Sequence, residues 1–178
     1  MSSLTDNTTI VVGASRGLGR GIAAAFAQTG APVVTVARTR DATAAAASGP
    51  GAIQAEVADA ADATVAAGLL DRYRPEVVVL VAGLITAYAQ EEASRAGLEI
   101  TFTTVMPQFA PETGVGRPAV AAYAAQAGLS VEDYLDRQAF ELLTPEIAGS
   151  AVVELVQTDA AALAPAYLLN GRGLHTIR

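Results

Sequence analysis

Short apolar runs rich in β-branched residues alternate with longer stretches in which apolar residues recur every three or four positions. That alternation predicts a parallel sheet covered by helices. Residues 8–14 read as a buried strand, followed by Leu18, Ile22 and Phe26 on one helical face, with Gly30 as a C-terminal cap. Strands are expected over 31–38 and 52–57, with a weak Ala-rich helix between them at 41–51. A helix over 61–74 ends at Pro75, and 76–83 is a fourth strand. Residues 84–96 place Ile85, Ala89, Ala93 and Ala96 on one helical side, with Glu91 and Arg95 paired on the other. Gly97 ends that helix, and a strand is expected over 98–107.

A Pro- and Gly-rich stretch then leads to short helical pieces around Tyr123 and Tyr134. Thr144-Pro145-Glu146 is a strong helix start, since it supplies an N-cap, a proline at the first position and an acid in the first turn. Ile147, Ala151, Val152, Leu155 and Val156 give that helix its apolar face, and 164–171 reads as a closing strand. With no repeat and no linker, residues 1–178 are expected to form a single domain.

Composition narrows the function. The chain has no cysteine, one histidine (His175) and a net charge of −7. Disulfides, thiol catalysis and His- or Cys-cluster metal sites are therefore excluded, and the charge argues against nucleic acid and anionic membranes as partners. No apolar run reaches membrane-spanning length, so a soluble cytoplasmic protein is expected. All 11 basic residues are arginine, so no lysine amine is available for chemistry. His175 reads as a surface residue, as do Glu132, Asp133, Asp136 and Arg137.

The candidate chemistry begins at residues 11–22, "VVGASRGLGRGI", where a strand turns into a helix. The glycines follow G-x-x-x-G-x-G spacing at Gly13, Gly17 and Gly19. Glycines allow a sharp turn and close approach of a pyrophosphate, whose charge the free N–H groups of a helix N-terminus would hold. A glycine-rich turn without a ligand is the alternative. Arg38 stands at the end of the second strand, where an acid would bind a ribose 2′-hydroxyl and an arginine suits a 2′-phosphate. Arg16 offers a second cation, while Arg38 and Arg40 could also be plain surface residues. The combination favours NADP(H) over NAD(H).

These residues resemble the short-chain dehydrogenase/reductase family. "VVGASRGLG" is similar to its glycine motif, with Val12 for the usual threonine. "EVAD" at 56–59 resembles the segment where an aspartate faces the adenine, a place taken here by Glu56. "LVAG" at 80–83 stands where Asn-Asn-Ala-Gly is common, with only Ala82 and Gly83 retained. "MPQFAPET" at 106–113 resembles the Pro-Gly…Thr segment beside the nicotinamide, with Gln108 for glycine and Thr113 kept.

The resemblance implies an α/β fold, a Rossmann-like doubly wound parallel sheet in three α/β/α layers. It also implies cofactor contacts at Gly13, Ser15, Arg16, Gly17, Leu18, Gly19, Arg38, Thr39, Glu56, Val57, Ala82, Gly83, Pro107 and Thr113. Residues 109–143 would be a substrate lid, in which Phe109, Tyr123, Tyr134 and Phe140 either line an apolar pocket or simply pack together.

In that family a helix, a strand with the catalytic serine and a Tyr-x-x-x-Lys pair follow the Ala-Gly motif. Here the chain passes from Gly83 into "LITAYAQEEASRAG", which resembles the later part of the next helix. About one helix–strand unit is missing. Tyr88 is followed by Glu92 at the lysine spacing, and Tyr134 by Gln138, neither of which lowers a tyrosine pKa as a cation does. Right-handed crossover would then set 98–105 directly beside 77–82. Three functions stay open: a hydride-transferring oxidoreductase by descent, a non-catalytic nucleotide-binding or interaction protein, and an inactive deletion product. A small-molecule substrate and a homo-oligomer are both possible under the resemblance.

Overall fold

The computed structural model describes residues 4–39, 53–81, 86–138 and 141–177, without the side chains of 86–88. The Ala-rich segment 41–51, Arg40, Phe140 and the Gly83–Leu84 junction lie outside the described residues.

Strand β1 (Thr9–Val12) is buried through Val11, and β2 (Val33–Ala37) through Val36. Burial on both faces is why these strands are continuous apolar runs and do not alternate. With β3 (Ile53–Val57) and β4 (Val77–Leu80) they form a parallel sheet in the order β3-β2-β1-β4. Helix α1 (Gly17–Gln28) buries Ile22, Ala23, Phe26 and Ala27 on one face of this sheet, as the four-residue recurrence predicts. Helix α2 (Ala63–Tyr73) covers the other face, where Leu69 meets Ile10, Val34 and Val36. Asp62 caps α2 by accepting from the Thr64 N–H, and Arg74 ends it in the left-handed region at φ 42°.

Helix α3 (Thr86–Arg95) carries the expected ion pair, with Arg95 Nη2 2.6 Å from Glu91 Oε1. The strand expected over 98–107 is reduced to β5 (Thr104–Pro107). The Gln90 side chain takes the place of a strand partner, its amide donating to Ile100 O and its carbonyl accepting from Phe102 N–H. Helices α4 (Gly116–Gln126) and α5 (Val131–Asp136) follow, then α6 (Pro145–Gln157), whose N-cap is Thr144 as expected. The closing strand β6 (Ala166–Asn170) continues through the Asn170–Gly173 turn into β7 (Gly173–Thr176), a hairpin that the sequence analysis stopped short of. Its Asn-Gly step was the available signal.

β5 does not lie beside β4 as the crossover argument expects. It pairs with β6 in a separate sheet of order β5-β6-β7. The helical layer explains this. Val77 and Val79 of β4 and Val105 of β5 pack against one cluster built on α1 and α6. The backbones of those two helices touch: a Cβ at Gly21 would lie 2.1 Å from Pro145 O, and one at Gly149 2.5 Å from Gly21 O. α1 lies on β1 and β2 and α6 borders β7, so drawing β5 onto β4 would drive these already touching helices into each other. The result is a Rossmann-like α/β/α fold shortened by about one helix–strand unit, with its sheet split where the unit is missing.

Candidate functional site

β1 leads directly into the glycine loop. Gly13 (φ 84°) and Gly17 (φ 55°) both occupy the left-handed region, which explains glycine at each. The Gly13 N–H donates to Val36 O, tying the loop to β2. A Cβ at Gly19 would lie 2.4 Å from Gly13 O, so the first turn of α1 rests on the loop backbone. Arg16, the N-cap of α1, is extended and makes no side-chain cap. α2, α5 and α6 are each capped by Asp62, Ser130 and Thr144 respectively, and Gly116 N–H of α4 donates to Thr113 Oγ1. The first turn of α1 thus presents N–H groups and the positive end of a helix dipole without a cap from its own N-cap side chain.

Beside it a cleft of about 230 Å³ opens at the C-terminal ends of β1, β2 and β3. Its described lining is Val12 at the end of β1, Gly13 and Ser15 from the loop, Val36 and Ala37 of β2 with Arg38 just after it, and 58–61 after β3. Arg38 is exposed and has no ion-pair partner among the described residues.

The structure therefore brings Gly13, Ser15 and Arg38 together at the cleft, with Gly17, Leu18 and Gly19 in the adjoining helix start. Thr39 is exposed just beyond Arg38. Thr113 also approaches, since a Cβ at Gly17 would lie 3.4 Å from its Cβ. The Thr113 hydroxyl donates to Ala110 O at 2.8 Å and accepts from Gly116 N–H at 2.9 Å. Arg16 extends along Gly114 instead of into the cleft. Pro107 ends β5. Ala82 and Gly83 lie outside the described residues.

Glu56 faces the end of α2. Its carboxylate accepts from Arg72 Nη1 at 3.0 Å and from the Tyr73 hydroxyl, and neither it nor the exposed Val57 lines the cleft among the described residues. The acid that does line it is Asp59, whose Oδ1 also accepts from Ala61 N–H at 3.1 Å.

Burial, then the hydrogen bond to Glu56, pushes the Tyr73 phenol above its ordinary pKa. The folded chain then holds that proton more tightly than the unfolded chain does. Stability from this group is complete below the unfolded tyrosine value of roughly 10 and is lost as pH rises through the higher folded value. Urea midpoints at pH 8 and above pH 10 should fall less in Tyr73→Phe than in the parent. An equal fall in both would remove Tyr73 from the alkaline transition.

Phe109, Tyr123 and Tyr134 pack on one another with ring centroids 6.4–6.5 Å apart, which is the packing alternative for these aromatics. His175 is exposed, with Nε2 3.1 Å from Asn170 Oδ1. Among the described residues no group of His, Cys, Asp and Glu could hold a metal, and no helix is long and apolar enough to cross a membrane.

Solved structures share this architecture. Actinorhodin polyketide ketoreductase, solved with NADPH, is 16% identical, with 96% of this chain and 98% of that chain covered and a TM-score of 0.69. L-sorbose reductase from Gluconobacter frateurii, solved with NADPH and L-sorbose, is 15% identical over 94% and 96% of the two chains, with a TM-score of 0.72. A short chain dehydrogenase from Bacillus anthracis is 17% identical over 98% and 100%, with a TM-score of 0.63. At such identities the likeness concerns the fold. No curated protein matches the chain. The profile of the short chain dehydrogenase family matches residues 7–106, more than half of the 178. The chain belongs to the short chain dehydrogenase family.

Proposed function

We propose that this chain binds NADP(H) at the glycine loop and lacks a self-contained proton-donating centre for hydride chemistry. The observation that carries the proposal is the exposed Arg38 guanidinium on the rim of a cleft that adjoins the uncapped start of α1. The residues present suit a dinucleotide. N–H groups at the first turn of α1 would take the pyrophosphate, and Gly13, Gly17 and Gly19 leave room for it. Arg38, with Ser15 and Thr39 near it, would take a 2′-phosphate, where a guanidinium fork is better matched than a point charge. Asp59, which lines the cleft, would face the adenosine end in place of Glu56, whose carboxylate is engaged by Arg72 and Tyr73. Ala82, Gly83, Pro107 and Thr113 are proposed for the nicotinamide half, with residues 109–143 covering it within a single domain spanning 1–178.

Bound, the nicotinamide would supply hydride; the chain would supply binding and orientation. Proton transfer to a carbonyl needs a positioned acid. With no lysine in the sequence, Tyr-x-x-x-Lys cannot be rebuilt. That favours a second reading, a nucleotide-binding protein without oxidoreductase turnover of its own. Parallel titrations of the purified chain with NADPH and NADH, followed by nicotinamide fluorescence, test the binding proposal. Saturable NADPH binding tighter than NADH binding is expected. A folded sample that binds neither would end both readings.

A further inference from the structure

Thr113 uses all of its polar groups inside one turn. Its N–H donates to Ala110 O at 3.2 Å, and its hydroxyl donates to the same carbonyl at 2.8 Å. The hydroxyl also accepts from Gly116 N–H at 2.9 Å, and the Thr113 carbonyl accepts from Arg117 N–H at 3.0 Å. Val115, the N-cap of α4, makes no side-chain cap, so the Thr113 hydroxyl caps that helix from two residues further back. The turn is closed so tightly that a Cβ at Gly116 would overlap Ala110 O. The rest of the half-buried Thr113 side chain is apolar, and it meets the glycine loop. A Cβ at Gly17 would lie 3.4 Å from both Cβ and Cγ2 of Thr113. The contact is reciprocated one residue on, where a Cβ at Gly114 would lie 3.7 Å from Arg16 Cδ.

We propose that Thr113 is a positioning residue for the nucleotide: its hydroxyl locks the 110–117 turn, and the locked turn holds Gly17 and the first amides of α1 in the geometry that receives a pyrophosphate. The inference rests on the nucleotide reading and narrows the part Thr113 plays in it. A hydroxyl whose one proton is committed to Ala110 O has none to donate to a nucleotide. Gly17 needs a hold from outside, because glycine has the widest backbone freedom and this one sits at φ 55° at the first position of α1. Gly19 rests on the backbone of Gly13 within the same loop, whereas Gly17 is covered by a turn from the far half of the sequence. Linkage makes the effect mutual: if the turn orders the loop, an occupied loop orders the turn.

The test uses the full chain and 2′-phospho-ADP-ribose, which carries the pyrophosphate and the 2′-phosphate but no nicotinamide. Binding it to the parent should slow hydrogen exchange at the amides of Gly116 and Arg117. Thr113→Val keeps the side-chain shape and loses both hydroxyl bonds. Its affinity for the probe, for NADPH and for NADH should fall together by about tenfold, since two hydrogen bonds of modest net contribution are lost. Its Gly116 amide should also exchange faster before any nucleotide is added. Thr113→Ser keeps the hydroxyl and gives up only the methyl, so it should stay within about threefold of the parent. Unchanged exchange at Gly116 and Arg117 when the parent binds the probe overturns the proposal, whether or not either variant folds. So does a Thr113→Val loss seen with NADPH but not with the probe, which would make Thr113 a direct nicotinamide contact. Thr113→Ser as weak as Thr113→Val also overturns it. A folded parent that binds none of the three ligands ends the nucleotide reading itself, and this inference with it, before any variant is made.

Discussion

Gly21→Ala should lower the unfolding free energy by about 3 kcal/mol, the upper part of the range for an overpacked interior, although it adds one methyl group. The new Cβ would lie 2.1 Å from Pro145 O and 2.5 Å from Pro145 C, both backbone atoms at the start of α6. A side chain could rotate away, but a helix backbone held by its own hydrogen bonds cannot. The opposing position is as tight, with a Cβ at Gly149 2.5 Å from Gly21 O. Relief therefore requires α1 and α6 to separate. Their separation would loosen the cluster in which Phe26, Ala148, Ala151 and Val152 are buried.

The control is the same substitution in another helix. Gly68 lies inside α2, and a Cβ there would meet nothing within 4 Å. Gly68→Ala removes only backbone freedom from the unfolded chain and should stabilise by about 0.5–1 kcal/mol. Urea titrations with unchanged slope would report both effects as midpoint shifts of opposite sign. Shifts of the same sign would mean that the α1–α6 contact is not the tight joint described.

The glycine joint also shows where sequence reading stopped. β1, β2, α1 and the start of α6 were legible because each is specified locally, by a run of β-branched residues, a four-residue recurrence or a Thr-Pro-Glu start. The glycine loop was legible for the same reason: a turn and a helix start lie within one short segment. Gly21 and Gly149 were not, because their requirement comes from a backbone 124–128 residues away in sequence. The extent of β5 was overestimated because nothing near Ile100 or Phe102 indicates that Gln90 satisfies their backbone groups. Glu56 was assigned by the resemblance of "EVAD" to a family segment. Its partners, Arg72 and Tyr73, come from α2, and their competition for its carboxylate is a tertiary fact. The missing helix–strand unit was visible as an interrupted pattern. Its consequence, a split sheet, was not, because the crossover rule knows only the two strands and not the helical layer that holds them apart.

Arg38→Asp carries the largest expected effect on ligand binding. Charge-assisted hydrogen bonds contribute about 1.5–3 kcal/mol, so NADPH affinity should fall by roughly 10- to 100-fold. The replacement also sets a carboxylate against the 2′-phosphate, adding like-charge repulsion to the lost pair. NADH has no such phosphate, and an acid at the end of β2 can accept from its ribose hydroxyls. Its affinity should hold or improve, so the ratio of the two dissociation constants is the informative quantity. Because Arg38 is exposed, the parent's preference for NADPH should shrink as salt is raised, while a mutant without the guanidinium should respond less. Fold damage is not expected, since Arg38 follows β2 and has no ion pair among the described residues to lose. Equal weakening of both nucleotides would assign Arg38 to shaping the cleft and would withdraw the 2′-phosphate from the proposal. An unchanged NADPH affinity would move the phosphate contact to another cation, with Arg16, now lying along Gly114, as the nearest candidate on the loop.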